Sequence, residues 1–200
     1  MKIARFLFIV LFSFTALSCE SDEQKNESDA DLAEQPAGNE WTAGDLRTAA
    51  LNGDLQTVNK SIEQGILVDD TDELGRTALM FAAFNGHFEV IELLITDGAD
   101  VNLVNDEGRT SLMFAASGPF PETVLRLLDN GAEVNRSDSV EEWTPLMYAA
   151  AEGNNEVIEL LLEHGANPKA MDADGETAID FAENNGHTQT AALLRNSLTK

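Results

Sequence analysis

One nine-residue phrase occurs three times in the chain at a nearly constant interval. Residues 75–83 read GRTALMFAA, residues 108–116 read GRTSLMFAA, and residues 142–150 read EWTPLMYAA. The first two copies begin at Gly75 and Gly108, and the same interval separates Thr144 from Thr177, which opens TAIDFA. A period of about 20 to 50 residues is typical of proteins that stack one small structural unit many times. Because one unit of this size cannot bury a core alone, the repeats must pack against one another.

The Thr-x-Leu-x-x-Ala-Ala pattern inside each copy resembles the ankyrin repeat. The segments GADVN at 98–102 and GAEVN at 131–135 match the ending of that repeat, and the resemblance extends over about residues 41–196. It implies an all-α fold, an ankyrin-repeat solenoid of about five helix-turn-helix repeats joined by β-hairpin loops. We expect one ankyrin repeat domain at 41–200, with repeats at about 41–71, 72–104, 105–138, 139–171 and 172–200.

Each repeat carries the signals of two helices. A Thr precedes each first helix, where its hydroxyl can cap free N–H groups; these residues are Thr77, Thr110, Thr144 and Thr177. Apolar residues at spacings of one and four predict a buried stripe on the second helix, formed by Val90, Ile91, Leu94 and Ile95 and again by Val157, Ile158, Leu161 and Leu162. The first and last repeats are more polar, as terminal caps of a solenoid must be.

The start of the chain is typical of an exported protein. Lys2 and Arg5 precede the uncharged run 6–17, which is followed by Ser18 and Cys19. A cationic start, an apolar stretch and a small residue before the cleavage site are typical of a signal peptide. The sequence ALSC at 16–19 resembles the bacterial lipoprotein processing site, which implies a lipoprotein signal peptide at 1–18 and lipidation of Cys19, the only cysteine. The alternative is an ordinary signal peptide followed by an incidental Cys.

Residues 19–40 have almost no apolar side chains and several acidic ones. This composition predicts a disordered acidic tether, so we expect a lipid-anchored protein of the bacterial cell envelope, at the outer membrane, on its periplasmic face or at the cell surface. The formal net charge of the chain is −24. Charge of this sign repels phosphate, which disfavours nucleic acid as a partner. We interpret it as a source of solubility, with a dedicated cationic ligand as the alternative.

No catalytic residue, metal site or cofactor is predicted. His87 and His187 occupy the Gly-His position of the ankyrin pattern, and His164 lies at a helix end, so each has a structural explanation. No Ser or Cys nucleophile has a motif around it, which disfavours a catalytic triad. The segment DADGE at 172–176 resembles a calcium loop, but Phe181 stands where the bidentate Glu is required, so we reject that motif.

The ankyrin resemblance implies a ligand face formed by the hairpin tips and the exposed edge of the first helices. Carried over to this chain, the predicted partner-binding residues are Leu74, Arg76, Phe84, Asp106, Glu107, Arg109, Glu141, Trp143, Glu152, Asp174 and Glu176. We expect Trp143 to be exposed, because other repeats carry charged residues at its position, and exposed Trp is a frequent binding hot spot. The alternative is that Trp143 packs over its own hairpin.

The third hairpin departs from the pattern. Thr110 follows Asn102 by eight residues, but Thr144 follows Asn135 by nine, and Glu142 replaces the usual Gly. We therefore expect this hairpin to be longer and differently turned.

These features together predict a protein-protein interaction module, not an enzyme. We expect a monomer that binds an unidentified protein through its concave groove and contacts the membrane only through its lipid anchor. One alternative is an accessory subunit that protects or stabilises an envelope enzyme. Another is a carbohydrate-binding or hydrolytic protein that uses Trp143 with nearby carboxylates; a tight pocket would favour that alternative, and an open groove favours a protein partner.

Overall fold

The computed structural model describes residues 41–199. Within this part of the chain the helices are α1 Ala43–Asn52, α2 Leu55–Glu63, α3 Ala78–Asn85, α4 Phe88–Thr96, α5 Ser111–Ala116, α6 Pro121–Asp129, α7 Pro145–Glu152, α8 Asn155–Glu163, α9 Ala178–Asn184 and α10 Thr188–Ser197. The predicted signal peptide at 1–18, Cys19 and the predicted tether at 19–40 lie outside the described residues. None of the helices between residues 41 and 199 combines the length and apolar character needed to span a bilayer.

The helices form five consecutive pairs. Each odd-numbered helix packs against the even-numbered helix that follows it, and each helix also packs against its counterpart in the next pair. The odd-numbered helices thus form one row and the even-numbered helices a second row. This arrangement confirms the predicted all-α solenoid of helix-turn-helix repeats. The predicted hairpins are present as tight turns, and no strand is formed anywhere in residues 41–199.

The predicted Thr residues begin the first helix of the last four pairs. The Oγ1 atoms of Thr77 and Thr110 each accept the N–H three residues later, at 3.3 Å and 3.4 Å. Thr177 instead donates its N–H and Oγ1–H to Asp180 Oδ2, at 2.8 Å and 2.6 Å. Thr144 differs, because its Oγ1 is buried without a hydrogen-bond partner in the described part of the chain. The hydroxyl cap predicted from the sequence is therefore made at Thr77 and Thr110 but not at Thr144.

The hydrophobic core runs continuously between the two rows of helices. Small side chains let neighbouring first helices approach closely, and the pairs Ala82–Ala83, Ala115–Ala116 and Ala149–Ala150 have no accessible surface. Most of the predicted second-helix stripe is buried as well, at Val90, Ile91, Leu94, Val157, Ile158 and Leu161. Four aromatic residues repeat along the first helices: Tyr148 and Phe181 are buried, whereas Phe81 and Phe114 are only half-buried. These four residues are named the aromatic column below.

Candidate partner-binding face

Each hairpin is shaped by one polar side chain at its start. Asp72 Oδ1 accepts hydrogen bonds from the backbone N–H groups two and four residues later, both at 2.9 Å. Asn105, Asp138 and Asp172 stand at the equivalent positions, and each accepts two N–H groups of its own hairpin. A side chain that satisfies two backbone donors fixes the turn without help from a strand. These four residues are not among the predicted partner-binding residues, although an Asp or Asn five or six positions before each Thr marks them in the sequence.

The hairpin tips are joined to one another. We name residues 72–76, 105–109, 138–143 and 172–176 the hairpin row. One backbone hydrogen bond links each neighbouring pair of tips, from Asp106 N–H to Leu74 O at 3.0 Å, from Ser139 N–H to Glu107 O at 2.9 Å, and from Ala173 N–H to Glu141 O at 3.1 Å. These bonds hold the tips in a fixed order, so that Leu74, Glu107, Glu141 and Asp174 take equivalent places.

Arg76 is bound within its own hairpin. Its Nε and Nη2 lie 2.7 Å and 2.6 Å from Asp72 Oδ2, and its Cζ lies 4.8 Å from the ring centroid of Phe81. Burial alone would raise the pKa of Asp72, but hydrogen bonds from the Arg76 side chain and from the N–H groups of Arg76 and Leu74 outweigh it and lower that pKa. Arg76 therefore lies at the face as an ion pair with Asp72.

Arg109 extends towards the next repeat. Its Nη1 lies 3.0 Å from Glu107 Oε2, and its Cζ is 5.8 Å from the ring centroid of Tyr148. The Tyr148 hydroxyl donates to Asp138 Oδ2 at 2.6 Å, and both side chains are buried. Burial raises the pKa of Tyr148, and the hydrogen bond to Asp138 adds to the rise. The neutral hydroxyl therefore ties the third hairpin to α7.

The prediction that Trp143 is exposed is wrong, because only 8% of its surface is accessible. Its ring centroid lies 5.3 Å from that of Tyr148 and 4.3 Å from that of Phe181, both in edge contacts. A large apolar ring is more stable among other aromatic rings than in water. Trp143 therefore packs inward, over the aromatic residues of its own repeat and the next, and supports the face from beneath.

The third hairpin is longer and differently turned, as predicted. Glu142 has a φ of 60°, a left-handed conformation that Gly75, Gly108 and Gly175 take in the other hairpins. The additional residue brings Val140 to the tip, where 55% of its surface is exposed. Val140 is not among the predicted partner-binding residues, although the one-residue insertion marks this tip in the sequence.

The other predicted residues differ in exposure. Those that are exposed are Leu74, Phe84, Asp106, Glu107, Glu141, Glu152 and Asp174. The Phe84 ring is 37% exposed and makes an edge contact with Phe114, with ring centroids 6.3 Å apart. Glu176 is half-buried, and Asn184 Nδ2 lies 3.4 Å from its Oε1. Phe84 and Glu152 stand near the ends of α3 and α7, so they belong to the exposed edge of the first helices and not to the tips.

The histidines contact backbone carbonyls, as their predicted structural role requires. His87 Nε2 lies 2.9 Å from Leu51 O, and His187 Nε2 lies 3.1 Å from Ala151 O, so each joins its repeat to the preceding one. In residues 41–199, no three His, Cys, Asp or Glu side chains are placed to hold a metal ion together. The face carries exposed carboxylates and a few exposed apolar side chains, which are groups suited to binding a partner.

Comparison with known proteins agrees with this geometry. The family model described as ankyrin repeats (3 copies) matches residues 46–138 and 121–199. The chain is 39% identical over 59 residues to a putative ankyrin repeat protein of Neisseria meningitidis serogroup B, covering 30% of this chain and 23% of that protein. It is 46% identical over 52 residues to ankyrin repeat and SOCS box protein 11 of Homo sapiens, covering 26% and 16% of the two chains.

A third relative is the ankyrin repeat protein nuc-2 of Neurospora crassa, 40% identical over 57 residues that cover 28% of this chain and 5% of that protein. The chain thus spans less than a quarter of the length of each of these relatives. The family match covers well over half of the chain, and the chain belongs to the ankyrin repeat family.

Proposed function

We propose that this chain is a protein-protein interaction module that binds a protein partner through its hairpin row and the adjoining exposed edge of the first helices. The observation that carries the proposal is the set of backbone hydrogen bonds from one tip to the next, which presents exposed side chains in a fixed order. A preformed face loses little conformational freedom on binding, so more of the contact energy appears as affinity. The ankyrin fold is in general a binding scaffold, which agrees with this function.

The chemistry of the tips indicates the kind of contact that the face offers. Leu74 and Val140 provide exposed apolar side chains, and Glu107, Glu141 and Asp174 place carboxylates at the equivalent positions. Apolar contacts give affinity, while carboxylates favour a facing surface that carries basic groups and speed its approach. We therefore propose a partner with apolar and basic residues at its contact surface.

The burial of Trp143 bears on the alternatives. The carbohydrate-binding or hydrolytic alternative relied on Trp143 with nearby carboxylates, but this ring is enclosed by Tyr148 and Phe181. An accessory subunit of an envelope enzyme would use the same hairpin row and differ only in the identity of its partner. We therefore retain protein binding as the proposed function.

We further propose that the module is held in the bacterial cell envelope by a lipid on Cys19. The support is the sequence pattern alone, a cationic start, an apolar run and ALSC at 16–19. The variant Cys19→Ser should lose metabolic labelling by a fatty-acid probe and should be released from membranes. Because Cys19 is the only cysteine, continued labelling of this variant would rule out the lipoprotein proposal.

The binding proposal is tested on a partner isolated by crosslinking in intact envelopes. In calorimetric titration, Leu74→Ala and Val140→Ala should each weaken binding by more than about 1 kcal/mol, because both remove apolar contact area at a tip. Leu125→Ala is the matched control, since Leu125 lies on α6, outside the hairpin row, and is 37% exposed.

A second pair of variants tests the carboxylates. Glu107→Gln with Glu141→Gln should weaken binding and reduce its dependence on salt. Glu156→Gln with Glu159→Gln removes the same charge from exposed positions of α8 and should change neither. Loss of binding in the α6 and α8 variants, with binding retained by the hairpin variants, would show that the proposed face is wrong.

A further inference from the structure

The loops that follow the second helices are joined across repeat boundaries by asparagine side chains. Asn102 Nδ2 donates to Gly131 O at 3.0 Å, and Asn102 Oδ1 accepts from Glu133 N–H at 2.9 Å. One boundary further on, Asn135 Nδ2 donates to Gly165 O at 2.9 Å, and its Oδ1 accepts from the Asn167 N–H at 2.7 Å. Each asparagine thus uses both halves of its amide, one as a donor and one as an acceptor.

The boundary between the first repeat (α1 and α2) and the second repeat (α3 and α4) carries an acid at this position. Asp69 stands one repeat period before Asn102. Its two carboxylate oxygens share the Asp100 N–H, each at 3.2 Å. An ionised carboxylate has no hydrogen to donate, so it reproduces the accepting half of the asparagine bridge and not the donating half. The carbonyl of Gly98 is the equivalent of Gly131 O and Gly165 O.

We propose that this boundary is a pH-sensitive latch, in which protonation of Asp69 supplies the missing donor to Gly98 O and docks the first repeat more firmly. A protonated carboxyl group has one O–H donor and an accepting oxygen. It can therefore bond as the asparagine amide does at the two following boundaries. Ionisation removes the donor and weakens the contact between the first and second repeats, so the first repeat opens more readily at neutral than at acidic pH.

The net effect of the surroundings of Asp69 is to raise its pKa, which acts in the same direction. Burial raises the pKa of Asp69, and the negative charge of Asp100 on the facing loop adds to the rise, although the hydrogen bond from the Asp100 N–H opposes it. Asp97, the last-turn cap of α4, begins that facing loop. Arg47 on α1 forms an ion pair with Asp70, the residue after Asp69, and its Nη1 lies 2.7 Å from Asp70 Oδ1. A raised pKa means that the stabilisation is present at acidic pH and is lost as pH rises through it.

Hydrogen exchange of the full chain tests the latch. At any one pH the intrinsic exchange chemistry is the same for wild type and Asp69→Asn, so the ratio of their rates in α1 and α2 reports the opening of the first repeat. Because Asp69→Asn installs the donor permanently, we expect wild type to exchange about 2- to 10-fold faster near pH 7. The ratio should fall towards one in a pH series that ends just above the isoelectric point of about 4.1.

Two further variants separate the latch from general effects of charge and of the amide. Glu73→Gln removes one exposed negative charge near the same boundary and should leave the rates in α1 and α2 unchanged. Asn102→Asp should transfer the pH dependence to the boundary between the second and third repeats. A ratio for Asp69→Asn that stays constant across the pH series, or equals one throughout, would overturn the proposal, even if Asn102→Asp failed to fold.

Discussion

Replacing Gly108 by Ala should disrupt the hairpin row where two tips meet. Gly108 has a φ of 76°, which an L side chain adopts only with strain. A Cβ atom at this position would lie 2.6 Å from the backbone N of Ser139 and 2.8 Å from its Oγ. That N–H makes the tip-to-tip hydrogen bond to Glu107 O at 2.9 Å. The substitution therefore strains one turn and pushes the neighbouring hairpin away.

The structure also provides a control of the same chemistry. Gly175, at the equivalent place in the last hairpin, has a φ of 79°, but a Cβ there would meet no atom within 4 Å. Gly175→Ala therefore measures the conformational strain alone, about 1 kcal/mol after allowance for the less flexible unfolded chain. Any larger loss at Gly108 must come from the contact with the third hairpin.

The extra cost at Gly108 follows from the distances. Ordinary contact begins near 3.4 Å, so Ser139 must retreat by about 0.8 Å, which takes its hydrogen bond beyond bonding distance. Loss of that bond costs about 1 kcal/mol, and displacement of packed groups costs about as much again. We expect a total of about 2 to 4 kcal/mol for Gly108→Ala, measured by urea unfolding followed by circular dichroism. Equal destabilisation by Gly108→Ala and Gly175→Ala would refute this account of the row.

Three other predictions concern stability. Leu127→Ala, which empties a fully buried site in the middle repeat, should cost about 2 to 5 kcal/mol in urea unfolding, whereas Leu198→Ala, at a position 38% exposed, should cost less than about 1 kcal/mol. Glu142→Gly should raise the free energy of unfolding by about 1 kcal/mol by relieving a positive φ, and Glu142→Gln, which keeps that φ, should gain less. The pKa of Asp180 is lowered by hydrogen bonds from the Thr177 hydroxyl and N–H, so the stabilisation by Asp180 is present at neutral pH and is lost as pH falls below about 4. Asp180→Ala should therefore cost about 1 kcal/mol at pH 7, and the difference in free energy of unfolding between wild type and Asp180→Ala should disappear in acid.

The sequence predicted the features that repeat and missed those made between repeats. The positions of Thr77 and Thr110 and the buried alanines follow from a local rule that the chain applies again in each repeat. The tip-to-tip bonds join backbone groups of neighbouring repeats, such as Leu74 O and Asp106 N–H. No side-chain pattern encodes them, so they appear only when the repeats are stacked.

Trp143 shows a second limit of reasoning from equivalent positions. Arg76 lies 4.8 Å from the ring centroid of Phe81, and Arg109 lies 5.8 Å from that of Tyr148. Both arginines therefore extend along the aromatic column, as Trp143 does between Tyr148 and Phe181. Equivalent positions in the repeats correctly placed all three side chains beside the aromatic column, but the exposure of each side chain depends on its own polarity. Each arginine needs a carboxylate for its charged end, Arg76 pairing with Asp72 and Arg109 with Glu107, whereas the largely apolar indole can be buried among the rings of the column without such a partner.

Two substitutions of Trp143 should differ in their cost to stability. Trp143→Ala should cost about 3 to 5 kcal/mol, since it leaves a cavity between two rings. Trp143→Arg should cost less, about 1 to 3 kcal/mol, because a guanidinium can stack on the same rings as Arg76 stacks on Phe81. Urea unfolding of both variants beside wild type measures the order. If Trp143→Arg is as destabilised as Trp143→Ala, the aromatic column does not accept arginine there, and the burial of Trp143 comes from the lengthened third hairpin instead.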